Sequence, residues 1–373
     1  MRIAILGKKH PFCGIVTYCR ELASGLREAG HEVLLCHVHD GPSPDEAEVA
    51  LPLMWRTPLF VVPSPRALGQ LEARLRRFQP DLVHASFALG PLDWALPGLC
   101  RRLGVPLVAT VHVALDHRPS LPGRVSDLVY RAYGPTLRRC ELVIVFSEAQ
   151  AARVRQAQVA PGRIAVLPHG VDVQRYAPGP SLYRATLHAR ALVCYMGRID
   201  AEKNVGTLLE AWRRLGPPAD SHLALIGDGY MRAGLEARHR GLARVHWLGF
   251  VADEARRIDI LRGAEVFVLP SSVEGLSLAL LEAMACGAAP VATDVGADGE
   301  VIAGVGRTLD PRRLDQALAP ALGGLLAQPN ELARLRRLSR ARVETHYAHQ
   351  ENMQRLQRLY EGVAGRRRPL AQQ

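Results

Sequence analysis

The chain has 373 residues, 48% of them hydrophobic and 22% charged, with a formal net charge of +11 and a pI near 9.7. That length holds two domains with substantial cores, the hydrophobic fraction and modest charge exclude a disordered chain, and no apolar run approaches the ~18 residues of a membrane-spanning helix. The positive charges are not clustered with aromatics and no nucleic-acid module is recognisable, so nucleic acid is not an expected partner; an anionic membrane face is the other target for a basic surface.

The opening Arg2–Leu6 is a strand, entered without a signal-peptide core, so a cytoplasmic protein, peripheral at most on the inner face of the membrane, is expected. The loop Gly7-Lys8-Lys9-His10-Pro11-Phe12-Cys13-Gly14 leads into a helix with Val16, Cys19, Leu22, Ala23 and Leu26 on one face, stopped at Gly30. Such a loop is the ligand edge of a parallel sheet, but without G-x-G-x-x-G it is no nicotinamide or flavin site. The next strand is His31–Leu35. Residues 41–65 are proline-rich, with a candidate strand at Leu59–Val62. Pro65–Phe78 is an amphipathic helix that packs on a sheet with its arginines in water, while Trp55, Leu59 and Phe60 upstream offer a membrane contact.

Strands Asp81–Ser86, Pro106–His112 and Leu142–Phe146 alternate with helices Leu92–Leu103 and Glu148–Gln156. His112 ends a buried strand at the edge where parallel sheets bind ligands. After Ile164–Asp172, the stretch Gln174–Arg184, with Pro178, Gly179 and Pro180, has the composition of a linker. A second series opens with strand Ala191–Met196, the loop Gly197-Arg198-Ile199-Asp200-Ala201-Glu202-Lys203-Asn204 and a helix from Val205 to Leu215. An arginine and a lysine bracketing a strand-to-helix loop suit a diphosphate. Glycine turns then follow the strands ending at Ile226 and Leu248. The seven cysteines, scattered and without a C-x-x-C pair, read as buried thiols rather than disulfides or a zinc site.

Val266–Ile302 is the stretch around which the rest is arranged. It runs from strand Val266–Leu269 through a Pro-Ser-Ser turn and Glu274-Gly275 into a helix from about Ser277 to Ala285, apolar on most faces. Free N–H groups at Leu276 and Ser277 make an anion seat, and Glu282, inside an apolar helix, needs donors that a hydroxyl-rich ligand supplies. Two acids with an anion seat between them suit a sugar linked through phosphate to a nucleoside. A solvated Glu274 and a Glu282 drawn to the positive end of its helix account for the residues equally well. The tail from Pro311 is helical, with Arg334, Arg336, Arg337, Arg340 and Arg342 read as a solvated face and Gln350–Val363 as the last helix.

The Glu274/Glu282 pair in E-x7-E spacing, the following AMACGAAPVATDVGADGEV, the run Gly197–Lys203 and the segment Pro168–Asp172 resemble retaining family-four glycosyltransferases of the GT-B fold, over nearly the whole chain. The resemblance implies an α/β architecture of two facing Rossmann-like, doubly wound parallel-sheet domains with a cleft between them. Residues 1–175, completed by the C-terminal helix 346–373, would bind the acceptor, and 185–345 the nucleotide sugar. It implies a metal-independent hexosyltransferase without a cofactor, whose donor substrate is a nucleotide diphosphate sugar, first of all a UDP-sugar. Glu274, His112, Arg198 and Lys203 take the catalytic positions: Glu274 at the donor sugar, both cations on the diphosphate, His112 near the reacting centre. Donor contacts fall to Gly14, Gly197, Gly227, Phe250, Val251, Gly275, Leu276, Ser277 and Glu282, the last at the ribose, and none to a metal. Lys8 and Lys9 are candidates for acceptor or phosphate. The chain departs from the family pattern at Cys13-Gly14, His169 and Asn204.

The opening GKKHPFCGIVTYCREL looks most like bacterial glycolipid synthases, including digalactosyldiacylglycerol-type enzymes, which implies a lipid acceptor at an anionic membrane surface. The alternatives are a soluble sugar or phosphosugar acceptor, a nucleotide-sugar epimerase of the same fold, and a non-catalytic basic protein that binds membrane or nucleic acid.

Overall fold

A computed structural model of the chain describes residues 1–7, 14–39, 47–56, 61–88, 90–112 and 130–366. Two compact units emerge. One takes in the described residues of Met1–Val113, Leu121–Pro168 and Glu351–Gln373, the other His169–Gln350.

In the first unit, β1 (Arg2–Gly7), β2 (Glu32–Val38) and β3 (Glu48–Leu51) join β6 (Leu82–Phe87), β7 (Leu107–Val111), β8 (Leu142–Val145) and β9 (Ile164–Val166) in a seven-stranded sheet of order β3-β2-β1-β6-β7-β8-β9. Every pairing in it is parallel, and the strands read as unbroken apolar runs because both faces are covered. The first helix, Gly14–Glu28, buries Val16, Cys19, Leu22, Ala23 and Leu26 as their spacing requires, and Tyr18 besides. Residues 47–63 hold more strand than their composition suggests: β3, and an antiparallel hairpin of β4 (Leu53–Arg56) with β5 (Val61–Pro63). Strands of three and four residues are too short to show an alternating period. Lys8, Lys9, Cys13, Leu59 and Phe60 lie outside the described residues.

The final helix, His349–Gly365, buries Asn352, Leu356, Tyr360 and Val363. Tyr360 Oη is bonded to His84 Nδ1; His84 Nε2 shares a 2.8 Å bond with Thr110 Oγ1, which in turn meets Tyr18 Oη at 3.1 Å. His84 is fully buried with no acid beside it among the described residues, and burial pushes its pKa down to about 3.

The second unit carries a six-stranded parallel sheet of order β12-β11-β10-β13-β14-β15, built from β10 (Ala191–Met196), β11 (Ser221–Ile226), β12 (Val245–Gly249), β13 (Val266–Leu269), β14 (Ala289–Thr293) and β15 (Arg307–Leu309). Strand order reverses between β10 and β13, where Val193 pairs with Val266 and Cys194 with Phe267.

The stretch with linker composition, Gln174–Arg184, is fastened within this unit. Asp259 accepts from the Leu182 and Tyr183 N–H groups at 2.7 and 2.9 Å, and Arg262 Nε donates to the Ala177 carbonyl at 2.8 Å. The Arg-rich helix Pro329–His346 also departs from a solvated face. Arg336 donates to the Gly287 carbonyl at 2.7 Å, and Arg342 to the Val301 and Ala303 carbonyls at 3.3 and 3.1 Å. Arg340 reaches the carbonyls of Tyr176, Ala285 and Val173 at 2.7, 2.6 and 2.8 Å. These guanidiniums satisfy carbonyls that secondary structure leaves unpaired, while Arg334 keeps to a surface pairing with Glu331.

Candidate active site

In a doubly wound sheet the polar loops leave the carboxyl ends of the strands, and the point of order reversal is where they part to form a crevice. Here the loop after β10 carries Arg198 and Lys203, and the loop after β13 carries Glu274. Lys203 Nζ donates to Glu274 Oε1 at 2.6 Å, and Ser271 Oγ donates to the same oxygen at 2.7 Å. The Lys203 and Glu274 side chains are only 12% and 13% exposed, so their attraction is far less screened than in water. Backbone ties hold the loops together. Ser272 donates to the Glu202 carbonyl from N–H at 2.7 Å and from Oγ at 3.1 Å, and Asn204 Nδ2 donates to the Pro270 carbonyl at 2.9 Å. Asn204 sits at φ 49°, a left-handed conformation that asparagine tolerates, which explains how it replaces the glycine of the family pattern.

The Arg198 guanidinium is half-exposed and bridges Asp200 and Glu202. Its own carbonyl accepts from Tyr195 Oη at 2.5 Å. Tyr195 is buried, and burial, followed by the Glu274 charge, holds its phenol well above the ordinary range.

Ser277 caps the helix Leu278–Ala285, its Oγ accepting from the Leu280 N–H at 3.3 Å. The seat proposed for an anion is narrower than the sequence suggests. The Ser277 N–H is already taken by Asp298 Oδ1 at 2.9 Å, while Leu276 N–H has no partner among the described residues. The strand-end loop of β14 backs this turn: Ala297 N–H donates to the Gly275 carbonyl at 2.7 Å. Gly296, at φ 58°, lies so close that a Cβ there would stand 2.2 Å from the Glu274 carbonyl oxygen.

Two glycines chosen from sequence also meet. Gly197 N–H donates to the Ile226 carbonyl at 3.0 Å, and a Cβ on Gly227 (φ 135°) would fall 1.8 Å from the Gly197 oxygen. Gly227 N–H then donates to the Gly249 carbonyl at 2.8 Å, next to exposed Phe250 and buried Val251. Glu282 is half-buried rather than enclosed. It shares the more open face of its helix with Leu278 and Ala279; burial first, and then the Glu282 charge, holds the Tyr176 phenol high.

His112 and Gly14 belong to the first unit. The His112 ring lies edge-on to Tyr18 and Phe146, centroids 4.8 and 5.2 Å away, and the His112 backbone N–H donates to the Phe87 carbonyl at 2.9 Å. A Cβ on Gly14 would meet nothing within 4 Å among the described residues, so no such contact demands glycine there. Three residues of the second unit that sequence reasoning passed over complete the cluster: Ser271 and Asp298, both inside the stretch Val266–Ile302, and Tyr195 near the end of β10. The polar Pro-Ser-Ser turn was the only sequence signal for Ser271.

Two family models match the chain, "Glycosyltransferase Family 4" over residues 12–175 and "Glycosyl transferases group 1" over 190–328, together most of its length. The chain belongs to the family-four glycosyltransferases of the GT-B fold. Among curated relatives of this family-four chain, sulfoquinovosyl transferase SQD2 of Arabidopsis thaliana is 26% identical, over 81% of the chain and 61% of the relative. A D-inositol 3-phosphate glycosyltransferase of Gordonia bronchialis is 31% identical over 71% and 62%. The MMP alpha-(1->4)-mannosyltransferase of Mycolicibacterium hassiacum is 28% identical over 98% and 99%. The chain thus spans about three-fifths of the length of the first two. Solved structures share the fold: sucrose-phosphate synthase from Thermosynechococcus elongatus, TM-score 0.79 at 22% identity over 98% of this chain and 99% of that one, and Anabaena HepE in complex with UDP-glucose, 0.77 at 20% over 97% and 100%.

Proposed function

We propose that this family-four chain transfers a hexosyl group from a nucleoside diphosphate sugar, first of all a UDP-sugar, to an acceptor hydroxyl with retention at the anomeric carbon. The observation that carries the proposal is the Lys203–Glu274 contact at the β10–β13 switch point, flanked by Arg198 and the Leu276 N–H. Cations and an amide suit the diphosphate there, and an oriented carboxylate suits the sugar it carries. Lys203 spends one N–H on Glu274 and keeps the others for phosphate oxygens. Glu274 Oε1 is fixed by Lys203 and Ser271, and Oε2, without a partner among the described residues, is left to accept from a sugar hydroxyl.

In this reading the acceptor oxygen bonds to the anomeric carbon on the face from which the diphosphate departs. The carbon–phosphate oxygen bond breaks and the acceptor proton passes to the departing oxygen. Charge building on the diphosphate meets Arg198, Lys203 and backbone N–H in place of a metal ion, and no cofactor takes part. Glu274 orients the sugar rather than forming a covalent adduct.

A lipid acceptor at an anionic membrane surface, on its cytoplasmic side, is the preferred form of the proposal. Two observations support it. Met54, Trp55 and Trp94 are exposed in the first unit, and one relative, 29% identical over 74% of the chain, is named a phosphatidylinositol dimannoside mannosyltransferase. No helix among the described residues is long and apolar enough to cross a membrane. The name D-inositol 3-phosphate glycosyltransferase supports the second reading, a soluble phosphosugar acceptor.

The test incubates the purified chain with a panel of nucleotide sugars, each with total lipid extract or with sugar phosphates, and identifies the product by mass. A glycolipid formed in proportion to released nucleoside diphosphate is expected. A glycosylated sugar phosphate instead selects the second reading, and a changed nucleotide sugar without that release overturns transfer in favour of epimerisation.

A further inference from the structure

Asp298 stands behind the amide turn and none of the chemistry above uses it. Its side chain is fully buried, Oδ1 accepts the Ser277 N–H at 2.9 Å, and Oδ2 has no partner among the described residues. The residues on either side of it tie the same turn. Ala297 N–H holds the Gly275 carbonyl, and Gly296 presses on the Glu274 and Gly275 carbonyls, where a Cβ would intrude to 2.2 and 2.5 Å. Everything from Glu274 to Ser277 is therefore seated on residues 296–298, and Asp298 is the member whose side chain sets an amide direction.

We propose that Asp298 is a positioning residue of the donor site, acting as a neutral carboxylic acid that fixes the turn 274–277 from behind. This deepens the reading given above and rests on it. The charged groups around Asp298 fit a neutral acid: the Glu274 carboxylate opposes its ionisation, Lys203 favours it but is already bonded to Glu274, and the Tyr347 phenol is a further titratable neighbour. No cation pairs with Asp298 among the described residues. Burial first, then the Glu274 charge, holds its pKa well above the usual carboxylate range. An ionised Asp298 would set a second negative charge beside the acid that Lys203 serves, under the turn that is to receive a diphosphate. A neutral one keeps the Ser277 tie without that repulsion.

Asp298→Asn and Asp298→Ala separate charge from position, because asparagine keeps the carbonyl oxygen that accepts from Ser277 and has no charge to lose. Binding of UDP, GDP and ADP to the unaltered chain is measured by calorimetry, and the tightest is carried to the variants, whose folding is checked by circular dichroism. Asp298→Asn is expected to bind within about threefold of the unaltered chain and Asp298→Ala at least about tenfold more weakly. Unchanged binding by Asp298→Ala overturns the positioning role, and Asp298→Asn as weak as Asp298→Ala overturns the neutral form.

A second measurement needs no ligand. A carboxyl with a raised folded pKa keeps its proton where the unfolded chain has lost it, so its contribution to stability falls as pH rises from the unfolded value toward the folded one. The midpoint of thermal unfolding of Asp298→Asn should therefore gain on that of the unaltered chain from pH 5 to pH 8. Parallel curves mean an ionised Asp298 and overturn the inference. Binding of none of the three diphosphates overturns the donor-site reading itself, and the stability curves still decide the protonation of Asp298.

Discussion

Lys203 Nζ and Glu274 Oε1 lie 2.6 Å apart where β10 and β13 diverge, and both side chains are largely buried. Removing one partner of such a pair leaves the other charge without compensation, whereas removing both does not. Lys203→Ala is expected to lose about 3 kcal/mol in urea unfolding, and the Lys203→Ala/Glu274→Ala double variant should recover most of that. Turnover should fall about 100-fold or more in both single variants and in the double one, since in the proposed transfer the charges serve the donor as well as each other. A Lys203→Ala chain as stable as the unaltered one would show that the pair carries no buried charge.

Arg198 presents the opposite balance. Its side chain is 47% exposed and bridges two acids in its own loop. Arg198→Ala should change stability by less than about 1 kcal/mol, because water screens exposed ion pairs. The donor KM should rise about tenfold or more, because a guanidinium is a strong partner for phosphate oxygens. Steady-state kinetics beside urea unfolding reads both quantities, and a large stability loss with an unchanged donor KM would move Arg198 from the site to the scaffold.

Arg340 gives up three carbonyl contacts when truncated, to Tyr176, Ala285 and Val173. Arg340→Ala is expected to cost about 2–3 kcal/mol, since buried acceptors are left unpaired, while Arg337→Ala, on the exposed face, should stay within about 0.5 kcal/mol. Equal effects in urea unfolding would return both residues to the solvated face.

The Arg340 case marks where the sequence stops being legible. The strands Ala191–Met196 and Val266–Leu269 and the helix Val205–Leu215 stand in the apolar pattern itself, and their ends match the structure to the residue. The loop positions of Arg198, Lys203 and Glu274 follow once strand and helix are in place. What the pattern does not carry is which carbonyl a long cation will reach. Arg340 and Arg337 look alike in sequence, and the difference lies in backbone up to 167 residues away. Asp298 and Ser271 were hidden for the same reason. Each stands inside the stretch Val266–Ile302, yet the meaning of Asp298 comes from an amide 21 residues earlier in the chain.

His84 links the second half of the first sheet to the terminal helix, and its protonation gives that unit an acid sensitivity. Its folded pKa, about 3, lies below the value of 6.5 for an unburied histidine. Between those values the unfolded chain binds a proton that the folded one refuses, so stability is present above about pH 6.5 and is lost as pH falls toward 3. The slope for one such group is about 1.4 kcal/mol per pH unit, or roughly 2 kcal/mol from pH 6.5 to pH 5. His84→Gln keeps a side chain able to bond Tyr360 and Thr110 but carries no titrating group, and should lose less stability over that interval than the unaltered chain. Tyr360→Phe should leave the slope in place and lower stability by about 1–3 kcal/mol at every pH, because it removes a buried partner and not the titration. Urea unfolding midpoints of the three chains between pH 7.5 and pH 5 read both effects, and equal slopes for the unaltered chain and His84→Gln would mean that another group carries the acid sensitivity.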